Sequence, residues 1–261
     1  MSAPNPSSSS TNPTPTLFPT LYSLLPPSLH PTLLSHLSLL SIHAEQYYII
    51  DRIYTTTNPV VSGQLRNLRF RSRRRKSTTK TDNNQSNSDG AVGKEGKETA
   101  GEWLYTLEYV SAPLRSAEYS EASVRAIIGI EIKGMSGKDE VEEFITAMGF
   151  QHSHTYTLSG LLFHIPIPAP SNPPLTLQIT ITNLIPLSSA TPTSHPTTIS
   201  PTNPSLVGGT EPYLVQIHPS RPVNPVPIPG DVGLQDMIGL MRDLAGRVDV
   251  DGLEWSTGSM R

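Results

Sequence analysis

Leu175-Thr176-Leu177-Gln178-Ile179-Thr180-Ile181-Thr182 alternates without a break. Leu175, Leu177, Ile179 and Ile181 face one way; Thr176, Gln178, Thr180 and Thr182 face the other. Period two over eight residues marks a strand with one apolar face. Pro166, Pro168, Pro170, Pro173 and Pro174 place a turn-rich connector before it. Upstream, His154, Tyr156, Leu158 and Gly160 lead into Leu161-Leu162-Phe163 with the same pattern. Val124, Ala126, Ile128, Ile130 and Ile132 alternate with a face that carries Arg125, Glu131 and Lys133. Trp103, Tyr105, Leu107 and Tyr109 do the same. Gln64–Arg71 sets Leu68 and Phe70 against Arg69 and Arg71. Tyr48–Thr56 is β-branched and aromatic, and Tyr213–His218 is a short strand.

Helical spacing appears in three places. Leu29, Leu33, Leu37 and Leu40 form one stripe, with Ser28 as its expected cap and Pro31 in its first turn. Val141, Phe144, Ile145 and Met148 form a second, preceded by Ser136 and Asp139 and stopped by Gly149. Leu234, Ile238, Met241 and Leu244/Ala245 form a third, with Asp231 as its expected cap. About seven strands in consecutive runs, with three helices between or after them, predict an α+β fold. It is mainly antiparallel, a closed β-barrel flanked by about three helices. One apolar and one mixed face per strand is the habit of antiparallel sheets.

The chain has 261 residues, with 36% hydrophobic, 16% charged and 26 prolines. This composition predicts a folded body with polar insertions. Residues 1–16 read as a disordered tail, and 17–261 as a single barrel-like domain. Disordered insertions are expected at about 72–101 and 188–209, the second holding Gly208-Gly209 as a turn. There is no cysteine, which excludes a disulfide framework and any thiolate chemistry. No apolar run is long enough to span a bilayer, and no secretory leader pattern opens the sequence. A membrane role is not expected.

The net charge of −3 hides an asymmetry. Residues 64–80 hold eight of the nineteen basic residues and no acid. The remainder carries eleven basic against twenty-two acidic residues, a net of −11. Within the basic stretch, Arg71, Arg73, Arg74, Arg75 and Lys76 form the densest patch. Three readings of it compete: a nuclear-localisation signal, a nucleic-acid contact, and a solvated loop. No recognition helix or aromatic platform accompanies it, so sequence-specific nucleic-acid binding is not expected.

Signals for chemistry are few. His152 and His154 share a strand face, but spacing marks no third metal ligand. The nucleophile-elbow, zinc-protease, phosphate-loop and dinucleotide motifs are absent from the sequence. Gly129-Ile130-Glu131-Ile132-Lys133 is a partial match to the ExExK of triphosphate-tunnel enzymes, with Gly129 in place of the first Glu. On this reading no catalytic, cofactor-binding or metal residue is assigned, and the chain is not expected to be an enzyme. The alternatives kept open are a tunnel-type metal-dependent phosphohydrolase and a nucleic-acid module using the 66–76 run.

Residues 149–185 also carry a resemblance. Gly149-Phe150 ends a helix, Gly160 and Phe163 sit on the next strand, and Ile179-Thr180-Ile181 follows after a turn. This resembles subunit 18 of the Mediator head module, whose family shows a G-F/Y step, a G-x-x-F strand and an I-x-I strand. Leu21–Tyr54 reads as the family's strand, helix and strand, and Tyr213–His218 with Asp231–Val248 as its closing strand and helix. Asp249–Leu253 echoes its G-V-V-D-L region, while Trp255-Ser256-Thr257-Gly258 departs from its L-D-T-R-V-like ending. Subunit 20 of the same complex shares the barrel. The resemblance implies a nuclear, non-catalytic coactivator subunit without cofactors. It implies pairing with subunit 20 and with a helix of subunit 8, coupled to RNA polymerase II transcription. It does not identify the partner-binding residues, which stay unknown.

Overall fold

The structure is a computed structural model, and it describes residues 16–56, 67–74, 103–114, 120–133, 138–168, 174–187, 211–248 and 250–256. Among the described residues there are eight strands: β1 Leu17–Leu25, β2 His43–Thr56, β3 Asn67–Arg74, β4 Trp103–Val110, β5 Ser123–Ile132, β6 Phe150–Pro166, β7 Thr176–Leu187 and β8 Tyr213–Pro219. They close into a barrel in the order β1-β5-β4-β3-β2-β6-β7-β8. Every neighbouring pair is antiparallel. Three α-helices accompany them: α1 His30–Leu40, α2 Lys138–Ala147 and α3 Leu234–Arg247. The expected mainly antiparallel barrel with three helices is what the chain forms. The eighth strand is β1, whose Leu17, Leu21 and Leu25 alternate with Phe18, Thr20 and Tyr22.

On β1, β3, β4, β7 and β8 the apolar face points outward, toward the helices, whereas β2 and β6 also turn Ile49, Leu158 and Leu162 into the barrel. α1 and α3 cover β1, β7 and β8, joining Leu21, Leu25, Ile179, Ile181, Val215 and Ile217 to Leu33, Leu37, Met237, Ile238 and Met241 in the largest core. α2 covers β2, β3 and β4, with Val141 and Ile145 set against Tyr54, Leu68, Phe70 and Leu107. Burial of each such side chain contributes roughly 1.5–3 kcal/mol. The inner face is left to the mixed residues, which fill an eight-stranded interior just wide enough for side chains.

Several local expectations are corrected. Ser28 does not cap α1; a 3-10 turn over Pro27–Leu29 leads straight into it without a side-chain cap. Asp231 does not cap α3, where Gly233 stands at that position. Asp231 instead binds Arg221 at 2.7 Å and accepts from the Val232 N–H. On α2, Phe144 is exposed while Val141 and Ile145 are buried, and Met148, just past the helix end, is exposed too. Gly149 takes φ 84, the left-handed stop expected after that helix. Ser72, Arg73 and Arg74 belong to β3, although the sequence assigned them to an insertion. Residues 75–102 and 188–210 lie outside the described residues, as do the tail to residue 15, Ser136 and Asp249. Among the described residues no helix is long and apolar enough to cross a membrane.

Gly160 is required by close approach. A Cβ there would lie 1.9 Å from the Ile181 carbonyl oxygen. The position is opposite Tyr47 on β2 and Thr182 on β7. Its missing side chain lets β6 and β7 pack while Tyr47 stays buried in the interior.

Candidate functional site

Strand β3 reads Asn67-Leu68-Arg69-Phe70-Arg71-Ser72-Arg73-Arg74. Leu68 and Phe70 turn outward beneath α2. The same alternation turns Arg69, Arg71 and Arg73 into the barrel. Register then decides their partners. Arg71 stands opposite Asp51 of β2, which stands opposite Tyr156 of β6.

Asp51 is fully buried. The Arg71 guanidinium donates to both its oxygens, Nε to Oδ1 at 2.8 Å and NH2 to Oδ2 at 2.7 Å. The Tyr156 hydroxyl adds a third bond, to Oδ2 at 3.1 Å. Burial pushes the Asp51 carboxyl up, but the charge and hydrogen bonds of Arg71 outweigh it and hold the group below its ordinary range. Burial and then the Asp51 charge push the Tyr156 hydroxyl up to about 12, so it stays protonated as the donor.

Two further rungs flank this one. Arg69 Nε donates to Glu108 Oε2 at 2.7 Å on β4. Arg73 NH2 donates to Glu45 Oε1 at 2.8 Å on β2, with its guanidinium 5.7 Å from the centre of the Tyr47 ring. His164 Nε2 also meets Glu45 Oε1, at 3.3 Å. Each inward arginine of β3 therefore has a carboxylate from an adjacent strand. The row continues through Gln178 to His218, in register across β6, β7 and β8. Burial lowers the His218 imidazole to about 4, although its contact with the Pro219 carbonyl at 3.0 Å opposes the shift. Beside this polar arc, Tyr47, Ile49, Leu158 and Leu162 form an apolar patch with Tyr156 and Leu214.

The basic patch read from the sequence is thus divided. Arg71 and Arg73 are interior ion-pair members and do not form part of a surface stripe. Arg74 is exposed, and Arg75 and Lys76 lie outside the described residues. Glu131 and Lys133 form an exposed ion pair at 3.5 Å. His152 and His154 are exposed and bind Thr155 and Ser153. Among the described residues no three His, Asp or Glu side chains come together as metal ligands, and Glu45, Asp51 and Glu108 are each held by an arginine. The interior as described does not fit a divalent ion. Sequence reading missed Asp51 and Glu45. Their signal was present: Glu45, Tyr47, Ile49 and Asp51 share one face of β2, and two of the four are acids within a long apolar strand.

No family model and no curated protein sequence matches the chain. Solved structures do. The Schizosaccharomyces pombe Mediator head module is 14% identical, over 88% of this chain and 92% of that chain, with a TM-score of 0.43. A Pyrococcus horikoshii protein is 10% identical over 93% and 94%, with a TM-score of 0.49. A putative adenylyl cyclase from Hippeastrum, described as having a dominant triphosphatase activity, is 12% identical over 94% and 92%, with a TM-score of 0.44. At such identities the likeness is one of fold alone. It corrects one expectation. Because a triphosphatase stands among proteins of this fold, the barrel does not support the reading that the chain is not an enzyme.

Proposed function

We propose that the chain acts as a protein–protein assembly subunit of the Mediator-head kind in RNA polymerase II transcription. The observation that carries this reading is a set of large apolar side chains in solvent at one end of the barrel. Leu184, Ile185 and Leu187 are exposed where β7 ends. Phe144 and Met148 are exposed where α2 leads into β6. Leu187 stands opposite Thr155, five residues into β6, so both groups belong to the same end. Exposed apolar sets of this kind mark interaction surfaces. The proposed partners are a related barrel, subunit 20, and an amphipathic helix from subunit 8. Arg74, with Arg75 and Lys76, is proposed as a nuclear-import signal.

Purification of the tagged chain from nuclear extract, with identification of what accompanies it, tests the reading. Recovery of Mediator head subunits supports it. Their absence under mild salt sinks it.

One observation favours a second reading. Arg69, Arg71 and Arg73 line the barrel interior, and guanidinium groups suit phosphate recognition. A tunnel-type phosphohydrolase would release phosphate from a triphosphate, with or without added Mg²⁺ or Mn²⁺, and lose that release in Arg71→Ala. Catalysis absent from both the parent and the variant removes it.

A further inference from the structure

The loop between β8 and α3 reads Pro222-Val223-Asn224-Pro225-Val226-Pro227-Ile228-Pro229-Gly230. Its base is clamped on both sides. Val223 exchanges backbone bonds with Leu17, each at 2.8 Å, and the Leu234 N–H donates to the Asn224 carbonyl at 3.0 Å. Arg221 closes on Asp231, NH2 to Oδ1 at 2.7 Å and NH1 to Oδ2 at 3.3 Å. The Asp231 N–H donates to the Ile228 carbonyl at 2.9 Å across Pro229 and Gly230. Gly230 has φ 81, and Pro-Gly in this order is what a type II turn requires. Between the clamps the tip is apolar and faces solvent. Val226 is 67% and Ile228 49% exposed, with Pro227 and Pro229 exposed beside them. The Pro227 ring also rests on Gly233, where a Cβ would come within 3.0 Å of it. Beside the tip runs a shallow groove of about 520 Å³, lined by Asp231, Gln235, Asp236, Gly239, Leu240 and Asp243. Arg221 holds Asp231, whereas Asp236 and Asp243 are exposed and have no basic partner among the described residues.

We propose that this loop is a docking ligand for a partner protein whose groove is lined by aromatic side chains and rimmed by lysine or arginine. Proline fixes φ, and each residue before a proline is confined to extended conformations. The tip is therefore set before a partner arrives, and little conformational freedom is lost on contact. The backbone bends at Pro225 and Val226 and turns at Pro229 and Gly230, so it offers no straight edge to a strand. The Val226-Pro227 and Ile228-Pro229 dipeptides instead suit slots between aromatic rings, the mode in which proline-rich segments are read. The carbonyls of these residues accept from tryptophan or tyrosine donors of the groove. Asp236 and Asp243 receive the basic rim and fix the direction of docking. The loop follows Pro219, which pairs with Leu177 at the start of β7. It thus lies at the barrel end opposite Leu187, so a partner here and one on the Leu184–Leu187 surface do not compete.

The test titrates the full chain against a panel of isolated SH3, WW and EVH1 domains, which carry aromatic-lined grooves. At least one domain is expected to bind saturably. Val226→Ser with Ile228→Ser should weaken that binding at least about tenfold, as removal of a central anchor does. Both side chains already face solvent, so the melting temperature should stay within about 2 °C of the parent. Asp236→Asn with Asp243→Asn should weaken the same binding about threefold and flatten its dependence on salt. Binding by no domain of the panel overturns the proposal, as does binding that the Val226/Ile228 variant leaves unchanged. Affinity and salt dependence that survive loss of both acids overturn the basic rim. Sedimentation of the chain alone is the second measurement, with a monomer expected. A dimer that the Val226/Ile228 variant dissolves would seat a second copy on the loop and overturn the proposal equally.

Discussion

Asp51 concentrates the energetics of the barrel interior in one side chain. It is a fully buried carboxylate held by a bidentate guanidinium and a tyrosine hydroxyl. Removing one partner of such a pair leaves an uncompensated charge, at a cost of about 3–5 kcal/mol. Asp51→Asn is expected to lower the unfolding free energy by that amount in a urea titration. Asp51→Leu with Arg71→Met is expected to lose less than Asp51→Asn alone, because no orphan charge remains. Since the folded-state pKa of Asp51 is depressed, its contribution is present above the ordinary carboxylate range and disappears as pH falls through the folded value. His218 acts earlier in the same direction. Its pKa falls from 6.5 to about 4 on folding, so between those values the unfolded chain binds the extra proton. Stability is therefore expected to decline as pH drops from 6.5 to 4. His218→Gln should flatten that part of the profile in a pH series of urea melts. An unchanged slope would exclude His218 as the cause.

At the scale of elements, α2 was legible as a helix but not in its orientation. The stripe Val141, Phe144, Ile145, Met148 covers about 100° of the helix, an ordinary width, but only its Val141–Ile145 side meets the sheet. Val141 and Ile145 meet the outer face of β3 and β4, while Phe144 and Met148 fall to the solvent side. Ile145→Ala is expected to cost about 2–4 kcal/mol. Phe144→Ser should stay within about 0.5 kcal/mol. Equal losses in thermal melts would place Phe144 in the core after all. The β6–β7 pair carries a second test. Gly160→Ala forces a methyl against the Ile181 carbonyl, and overpacking of this kind costs about 1–3 kcal/mol. The loss should appear as a lower denaturation midpoint with an unchanged slope.

For the whole molecule, the proposed assembly role makes a prediction of its own. Ile185→Asp with Leu187→Asp changes side chains that already face solvent. Its melting temperature is expected to stay within about 2 °C of the parent. Recovery of head subunits from nuclear extract should fall at least tenfold, the loss expected from about 1.4 kcal/mol of binding. Retained recovery would move the interface elsewhere on the barrel.

The sequence alone determined seven of the eight described strands, their two faces and the three helices, because period two and period 3.6 are local properties of the chain. Strand β1 was not among them, since Pro19 and the leucines around it blur the alternation. What local pattern cannot encode is which face of a closed sheet becomes the inside. Alternation gave each strand one apolar and one mixed face without saying which lies inside. Closure turned the mixed face inward, because α1, α2 and α3 cover the apolar one. Arg71 therefore reads in the sequence as part of a basic run, and in the fold as the partner of Asp51, 20 residues away. Tyr156, 105 residues from Asp51, joins them only when β6 pairs with β2. Long-range register set this pairing, and register follows from packing across the whole barrel.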